Sequence, residues 1–344
     1  MRITHQMMTR DYLKRMNTNL SNLTRSNDKL NSNRAFNKAY ENVADASKAL
    51  KVRKLISDNE RYQTSIRDAQ GRVKAAEDGI RSVNSLLITA KDRMVEGLNG
   101  TMHESDRQKI AAELGKAQEE VLQIMNMTYS DKYLYNASGN ANAKQPFKVE
   151  ADGMLYYNGS KVDALMKDPL TGQPSNYVSG QGYEPIQWDE KNYVDIGFGY
   201  KLTGDLKVDA NTAFSDTFSG IQSFGYGKNA DGVPLNAHSL LGQMVTHLEA
   251  NNIEGMEKDL NAISDSMEFL LTSITEVGAR YSSLESTMGR LESEYVNLAD
   301  TQNSLEGVDL AEEIIYNKDY EMSWLVTLQL GSKILPQTLF DFIR

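Results

Sequence analysis

The residues that could carry chemistry in this chain are few and widely spaced. The chain has no cysteine, so disulfides, thiolate nucleophiles and cysteine-bound zinc are excluded. The histidines are His5, His103, His238 and His247, and none stands in His-Glu-x-x-His or another metal-ligand spacing. We therefore predict surface histidines, no metal site and no bound cofactor.

Glycine and carboxylate motifs also give no sign of catalysis. Gly197-Phe-Gly199 and Gly225-Tyr-Gly227 lack the third glycine and the following helix of a phosphate-binding loop, so we expect turns. Glu119-Glu120 and Glu312-Glu313 lie in helix-forming sequence, where paired carboxylates usually form a solvated face. We predict no catalytic residues and a protein that is not an enzyme.

Charge and hydropathy limit the possible partners. A formal net charge of -10 disfavours binding to nucleic acid or to an anionic membrane. Residues 1–54 hold 12 basic and 4 acidic residues, whereas residues 265–344 hold 5 and 14, so the two ends are expected to pair. The start of the chain lacks the apolar stretch of a secretory signal, and the apolar-leaning residues 324–335 are too few to span a membrane. We expect no cleaved signal peptide and no membrane span.

Two long tracts have apolar residues at alternating spacings of three and four, which places one apolar stripe along one face of a helix. At the rise of an α-helix the tracts extend about 48 and about 47 Å. Such long stripes need a second helix to cover them, so we predict that the two tracts pack antiparallel within one chain. The predicted packing residues are Tyr62, Ile66, Val73, Ile80, Val83, Leu87, Met94, Ile274, Val277, Tyr281, Leu284, Met288, Leu291, Tyr295, Leu298 and Leu305.

The middle of the chain has a different composition. Residues 137–236 contain 13 of the 24 glycines and five of the six prolines, residues that interrupt helices and form turns. Residues 147–157 are predicted to form a hairpin about Asp152-Gly153. Residues 193–200 and 202–208 are predicted to form short strands.

These patterns predict a mainly α fold, in which the N- and C-terminal parts form a long antiparallel helical bundle or coiled-coil rod with a small β-rich inserted domain. A further helix is expected to begin near Ser105, with Gln108 completing a capping box. The patterns leave open whether the bundle is an ordinary core or an assembling rod. The predicted domains are residues 1–55 with 306–344 (terminal, polymerisation), 56–136 with 237–305 (helical rod) and 137–236 (β-rich insertion).

Both ends of the chain carry shorter apolar stripes. Residues 31–49 separate the first stripe from the long tract and are predicted to be a connector with little core of its own. Isolated helices of this kind are marginally stable, so we predict that neighbouring subunits cover them. The predicted assembly residues are Leu13, Met16, Leu20, Leu23, Leu30, Trp324, Leu325, Leu328, Leu335 and Leu339.

Segments at both ends resemble the flagellin family. Leu30-Asn-Ser-Asn-Arg34-Ala-Phe, followed by Asp45-Ala-Ser-Lys-Ala-Leu50, is similar to the family's connector after its first helix. Residues 93–107 resemble the turn into its next helix. Residues 278–313 and 335–344 are similar to its returning segment and its C-terminus.

The resemblance implies a self-assembling structural subunit of the bacterial flagellum, extracellular and exported unfolded with the help of an export chaperone. Met1-Arg2-Ile3-Thr4, Tyr133-Leu-Tyr135 and Tyr156-Tyr157-Asn158-Gly159 favour a subunit between hook and filament. Its expected neighbours are copies of itself, the first hook-associated protein on the hook side and flagellin on the filament side. A filament flagellin is the first alternative, and a binding or enzymatic module in residues 137–236 is the second.

Overall fold

The computed structural model describes residues 2–136, 145–169, 174–178, 182–185, 193–197, 199, 201–202, 208 and 213–334. The chain divides into two compact units, one of residues 1–60 with 292–344 and one of residues 61–291. The three domains inferred from the sequence remain a prediction.

Long helices occupy most of the described residues, and no proline interrupts them. The predicted mainly α fold is confirmed, with long N- and C-terminal helices that pack together and a small sheet-containing insertion. The helices are α1 (Arg2–Ser32), α2 (Val43–Gly97), α3 (Glu104–Met125), α4 (Gly220–Phe224), α5 (Ala237–Glu249), α6 (Ile253–Glu306) and α7 (Leu310–Ile334).

The start of α3 differs from the prediction. The helix begins at Glu104, and His103 is its N-cap residue without a side-chain capping bond. The capping box predicted at Ser105 and Gln108 is therefore wrong. Glu104 and Asp106 lie in the first turn, where their negative charge interacts favourably with the positive end of the helix dipole.

Short antiparallel strands follow α3 and continue through the insertion. They are β1 (Thr128–Tyr129), β2 (Lys132–Tyr133), β3 (Phe147–Val149), β4 (Leu155–Tyr157), β5 (Ser160–Lys161), β6 (Leu165–Lys167), β7 (Pro174–Val178), β8 (Gly182–Pro185), β9 (Tyr193–Val194) and β10 (Phe214–Ser215), with a 3-10 turn at Val162–Ala164. The sheets have the strand orders β1-β2, β3-β4-β5, β6-β7-β8 and β10-β9.

The hairpin predicted about Asp152-Gly153 is confirmed, because β3 pairs with β4 in the register Phe147↔Tyr157. Gly153 has φ 74°, in the left-handed region that favours glycine. Of the strand predicted over residues 193–200, only β9 forms, and residues 198 and 200 lie outside the described part. Leu202 and Val208 form an isolated bridge, and residues 203–207 also lie outside it.

One continuous hydrophobic core fills the unit of residues 61–291. Helices α2, α3, α5 and α6 contribute to it, together with the fully buried side chains of Tyr135, Phe147, Tyr157 and Phe224. The rings of Tyr135 and Phe224 meet edge to face with centroids 4.6 Å apart, a favoured aromatic geometry. The insertion therefore shares a core with the helices.

Candidate packing and assembly surfaces

The predicted packing residues of α2 and α6 contribute to this same core as far as Leu291. Beyond it the stripe on α6 is more open: Tyr295 is 37% exposed, and Leu298 and Leu305 are half-buried. The structure therefore does not place Tyr295 in a buried seam. Two of the other predicted packing residues, Tyr62 and Tyr281, are half-buried. The rest are fully or largely buried: Ile66, Val73, Ile80, Val83, Leu87, Met94, Ile274, Val277, Leu284, Met288 and Leu291.

Contacts with the middle segment indicate the relative direction of α2 and α6. The guanidinium of Arg290, on α6, donates to the carbonyl oxygen of Ile196 at 3.4 Å. The next residue, Gly197, lies against the ring of Tyr62 on α2, and a Cβ added at Gly197 would be 3.0 Å from that ring. Tyr62 and Arg290 therefore contact the same short piece of chain.

A second pair of contacts lies ten residues further along α2 and ten residues earlier in α6. Arg72 Nη1 pairs with Asp216 Oδ2 at 3.1 Å. Arg280 Nη1 donates to the carbonyl oxygen of Thr217 at 3.0 Å. The order of these contacts requires α2 and α6 to run antiparallel in this unit.

The end of α2 is fixed by the buried side chain of Arg107. Its guanidinium donates to the carbonyl oxygens of Gly97 at 2.8 Å and Asn99 at 3.3 Å, and to Asn251 Oδ1 at 2.7 Å. Carbonyl groups at a helix C-terminus lack partners within the helix and attract a cation. Gly97 also lies beside Met256 in the first turns of α6, as the antiparallel arrangement requires.

The seam between α1 and α7 is polar. Asn19 Nδ2 donates to Thr327 Oγ1 at 2.7 Å. Asn317 Nδ2 donates to Ser26 Oγ at 3.2 Å and to Asn27 Oδ1 at 2.8 Å. Ser26 and Thr327 are only 2% and 9% exposed, so these hydrogen bonds lie inside the helix pair.

Two more contacts extend this seam in both directions. Lys29 Nζ bonds to Glu313 Oε2 at 3.1 Å, and the buried Tyr12 lies against Gly331. Glu313 is 6% exposed, so its predicted position on a solvated face is wrong. Successive contacts join later residues of α1 to earlier residues of α7, so the two helices run antiparallel.

Many large apolar side chains of α1 and α7 are exposed in the single chain. Leu13 and Leu20 are each 43% exposed, Leu325 is 53% and Leu328 is 44% exposed. The pair therefore combines buried polar contacts with an exposed apolar surface, unlike an ordinary amphipathic pair. Four other predicted assembly residues are half-buried: Met16, Leu23, Leu30 and Trp324. Further exposed apolar residues of α7 are Leu310, Ile314, Ile315 and Met322. The predicted Leu335 and Leu339 lie outside the described residues.

The connector after α1 is held by the end of α6. Glu306 Oε2 lies 2.6 Å from Arg53 and 3.8 Å from Arg34, and its carbonyl oxygen accepts from the amide of Ala35 at 2.7 Å. Burial alone would raise the pKa of Glu306, but the hydrogen bond and charge of Arg53 lower it below its ordinary value. The connector also has a small apolar cluster around Phe36, which the apolar spacing of its sequence does not indicate.

The histidines only partly match their predicted surface positions. His103 is exposed, but His238 is 6% exposed, so its predicted surface position is wrong. His247 Nδ1 lies 2.6 Å from Oδ2 of the fully buried Asp259, and burial raises the pKa of Asp259. The side chain of His5 lies outside the described part.

Two kinds of feature are absent from the described residues. No helix there combines the length and the apolar composition needed to cross a bilayer. No cluster of three or more histidine, aspartate and glutamate side chains there is arranged to hold a metal ion.

The fold and these surfaces define a helical structural subunit whose terminal helix pair presents apolar surface. Residues 3–139 match the model of the bacterial flagellin N-terminal helical region. Flagellin of Bacillus subtilis is 23% identical and aligns over 100% of both chains. Flagellar hook-associated protein 3 of Salmonella typhimurium is 21% identical over 86% of this chain and 84% of its own.

A solved structure has the same fold. The structure described as a flagellar hook-associated protein from Vibrio parahaemolyticus superposes with a TM-score of 0.55 at 15% identity, covering 78% of this chain and 100% of that one. The chain is a flagellin-like structural protein of the bacterial flagellum.

Proposed function

We propose that this protein joins the flagellar hook to the filament, and that it assembles through α1 and α7. The observation that carries the proposal is the exposed apolar surface of these helices around a polar seam. Complete burial of a fully exposed leucine contributes roughly 1.5 to 3 kcal/mol, and each of these partly exposed leucines contributes part of that. Neighbouring copies that cover several such leucines therefore supply the free energy of assembly.

The proposed neighbours follow from this position. Copies of the same chain cover the sides of the helix pair, the first hook-associated protein lies on the hook side, and flagellin lies on the filament side. Before assembly an export chaperone holds the chain, which leaves the cell without cleavage of a signal peptide. The similarity to hook-associated protein 3 supports these assignments.

Filament flagellin is the second candidate, supported by the full-length alignment with the Bacillus flagellin. The candidates differ in where the protein lies and in whether it polymerises alone. Immunogold labelling of purified flagella should show a single narrow band at the distal end of the hook. Labelling along the whole filament, or growth of long filaments from the purified protein alone, would support filament flagellin.

The role of α7 can be tested with Leu325→Ser combined with Leu328→Ser. Both side chains are exposed in the single chain, so the melting temperature should stay nearly unchanged while hooks fail to acquire the protein. Leu271→Ser is a matched control, because Leu271 is 51% exposed on α6 in the other unit. Normal incorporation of the double variant would exclude this face of α7 from assembly.

A further inference from the structure

A cavity of about 820 Å³ lies in the unit of residues 61–291, and neither terminal helix contributes to it. One wall comes from α6, and the other comes mainly from residues 215–226 of the middle segment. Its volume falls in the range of small-ligand and side-chain binding sites. No residue of α2 lines the cavity, so the packing of α2 against α6 does not account for it.

One end of the cavity already holds a cation of the chain itself. Arg280 Cζ lies 5.4 Å from the ring centroid of Phe218, within the range of a cation–π contact. Arg280 Nη2 also bonds to Glu276 Oε1 at 2.6 Å. At this end an aromatic ring and a carboxylate together bind a guanidinium group.

The other end presents the same kinds of groups. The rings of Tyr226 and Phe269 meet edge to face at 5.8 Å, and Asp265 lies one helical turn before Phe269 on α6. Glu268 also lines this end, and both carboxylates are exposed. Within the part of the chain that the structure describes, no basic side chain forms an ion pair with Asp265 or Glu268.

Two serine hydroxyls add acceptors to the cavity lining. Ser219 and Ser223 are 9% and 5% exposed. Neither hydroxyl has a hydrogen-bond partner among the described residues, and Ser219 makes no side-chain cap for α4. Because both residues line the cavity, their hydroxyl oxygens can accept hydrogen bonds from a bound donor.

We propose that the Tyr226 and Phe269 end of this cavity binds a lysine or arginine side chain of another protein. Carboxylates, aromatic faces and hydroxyl oxygens all attract a cation that donates hydrogen bonds, and the two carboxylates disfavour an anion. Lys167 also lines the cavity and weakens the attraction. The site does not depend on whether the protein lies at the junction or in the filament.

The test is a titration of the full-length protein with the peptide Gly-Ser-Arg-Ser-Gly. The reporter is the methyl NMR signal of Leu235, which lines the cavity and whose amide donates to the carbonyl oxygen of Gly227, the residue after Tyr226. The Arg peptide should shift this signal saturably, whereas the same peptide with neutral citrulline in place of arginine should not. The absence of a saturable shift, or an equal shift with citrulline, would overturn the proposal.

Variants separate this site from general attraction to an acidic protein. Asp265→Asn with Glu268→Gln should weaken peptide binding by about tenfold or more. Glu257→Gln with Glu285→Gln makes the same charge change at exposed positions of α6 outside the cavity and should leave binding within about twofold. Equal weakening by both pairs would show that the attraction is only general.

Lys167→Ala provides a result that misfolding could not produce. Removing this competing cation should strengthen peptide binding by a few-fold. Unchanged or weaker binding would place the peptide away from the lined end of the cavity and contradict the proposal.

Discussion

His238 is a histidine that the fold keeps neutral. Burial lowers the pKa of His238 to about 4, whereas an unfolded chain has a histidine pKa near 6.5. Between these values the unfolded chain takes up a proton that the folded chain excludes, so the free energy of unfolding falls as the pH falls. Protonation of His238 should therefore lower the free energy of unfolding by about 3 kcal/mol as the pH falls from about 6.5 to about 4.

Urea unfolding at a series of pH values measures this loss. His238→Gln should flatten the pH dependence between about 6.5 and 4, whereas His103→Gln, at an exposed histidine, should leave it as in the parent protein. If His238→Gln and the parent lose stability in parallel over that range, burial of His238 does not control the titration.

Gly79 makes room for a tyrosine against α2. The hydroxyl of Tyr135 donates to the carbonyl oxygen of Ala76 at 2.7 Å and occupies the place of a side chain at Gly79. Gly79→Ala should lower the free energy of unfolding by about 1 to 3 kcal/mol, outweighing the gain of up to about 1 kcal/mol in helix propensity. Chemical denaturation measures the difference.

Tyr135→Phe is the natural partner for that variant, because it removes the hydroxyl that a methyl group at Gly79 would meet. The cost of the double variant should be smaller than the summed costs of the single variants. Strictly additive costs would show that the crowding lies elsewhere.

Leu284 tests the packing of α6 within its core. It is fully buried in a cluster shared with α2. Leu284→Ala should lower the free energy of unfolding by about 2 to 5 kcal/mol through lost burial and the remaining cavity. Leu271→Ala, at an exposed position of the same helix, should change it by less than about 0.5 kcal/mol. An unchanged melting midpoint for Leu284→Ala would contradict the packing.

The helices were predictable from sequence because apolar spacing reports directly on the covered face, as for Ile66 and Leu284. The pairing of α1 with α7 was harder to predict from the sequence, since its seam contains Asn19, Asn317 and Thr327. Apolar periodicity does not detect such polar residues. Much of the apolar stripe identified on these helices is exposed, a feature that depends on tertiary structure.

For the molecule as a whole, composition located the β-rich middle segment but not its role in the packing. The ion pair of Arg72 with Asp216 and the hydrogen bond of Arg280 to Thr217 join distant parts of the sequence, and no local pattern indicates such pairings. Burial of Phe147 and Phe224 in the common core likewise depends on tertiary structure.

The central proposal is that α1 and α7 bury their outer apolar faces only when neighbouring subunits cover them. Amide hydrogen exchange tests it by comparing the free protein with protein assembled on hooks. Amides of α1 and α7 should exchange rapidly in the free protein, since a polar seam buries little apolar surface, and slowly after assembly. The buried part of α2 from Ile66 to Met94 should be protected in both states. Equal protection of α1 and α7 in the dilute free protein, or no gain on assembly, would contradict the account.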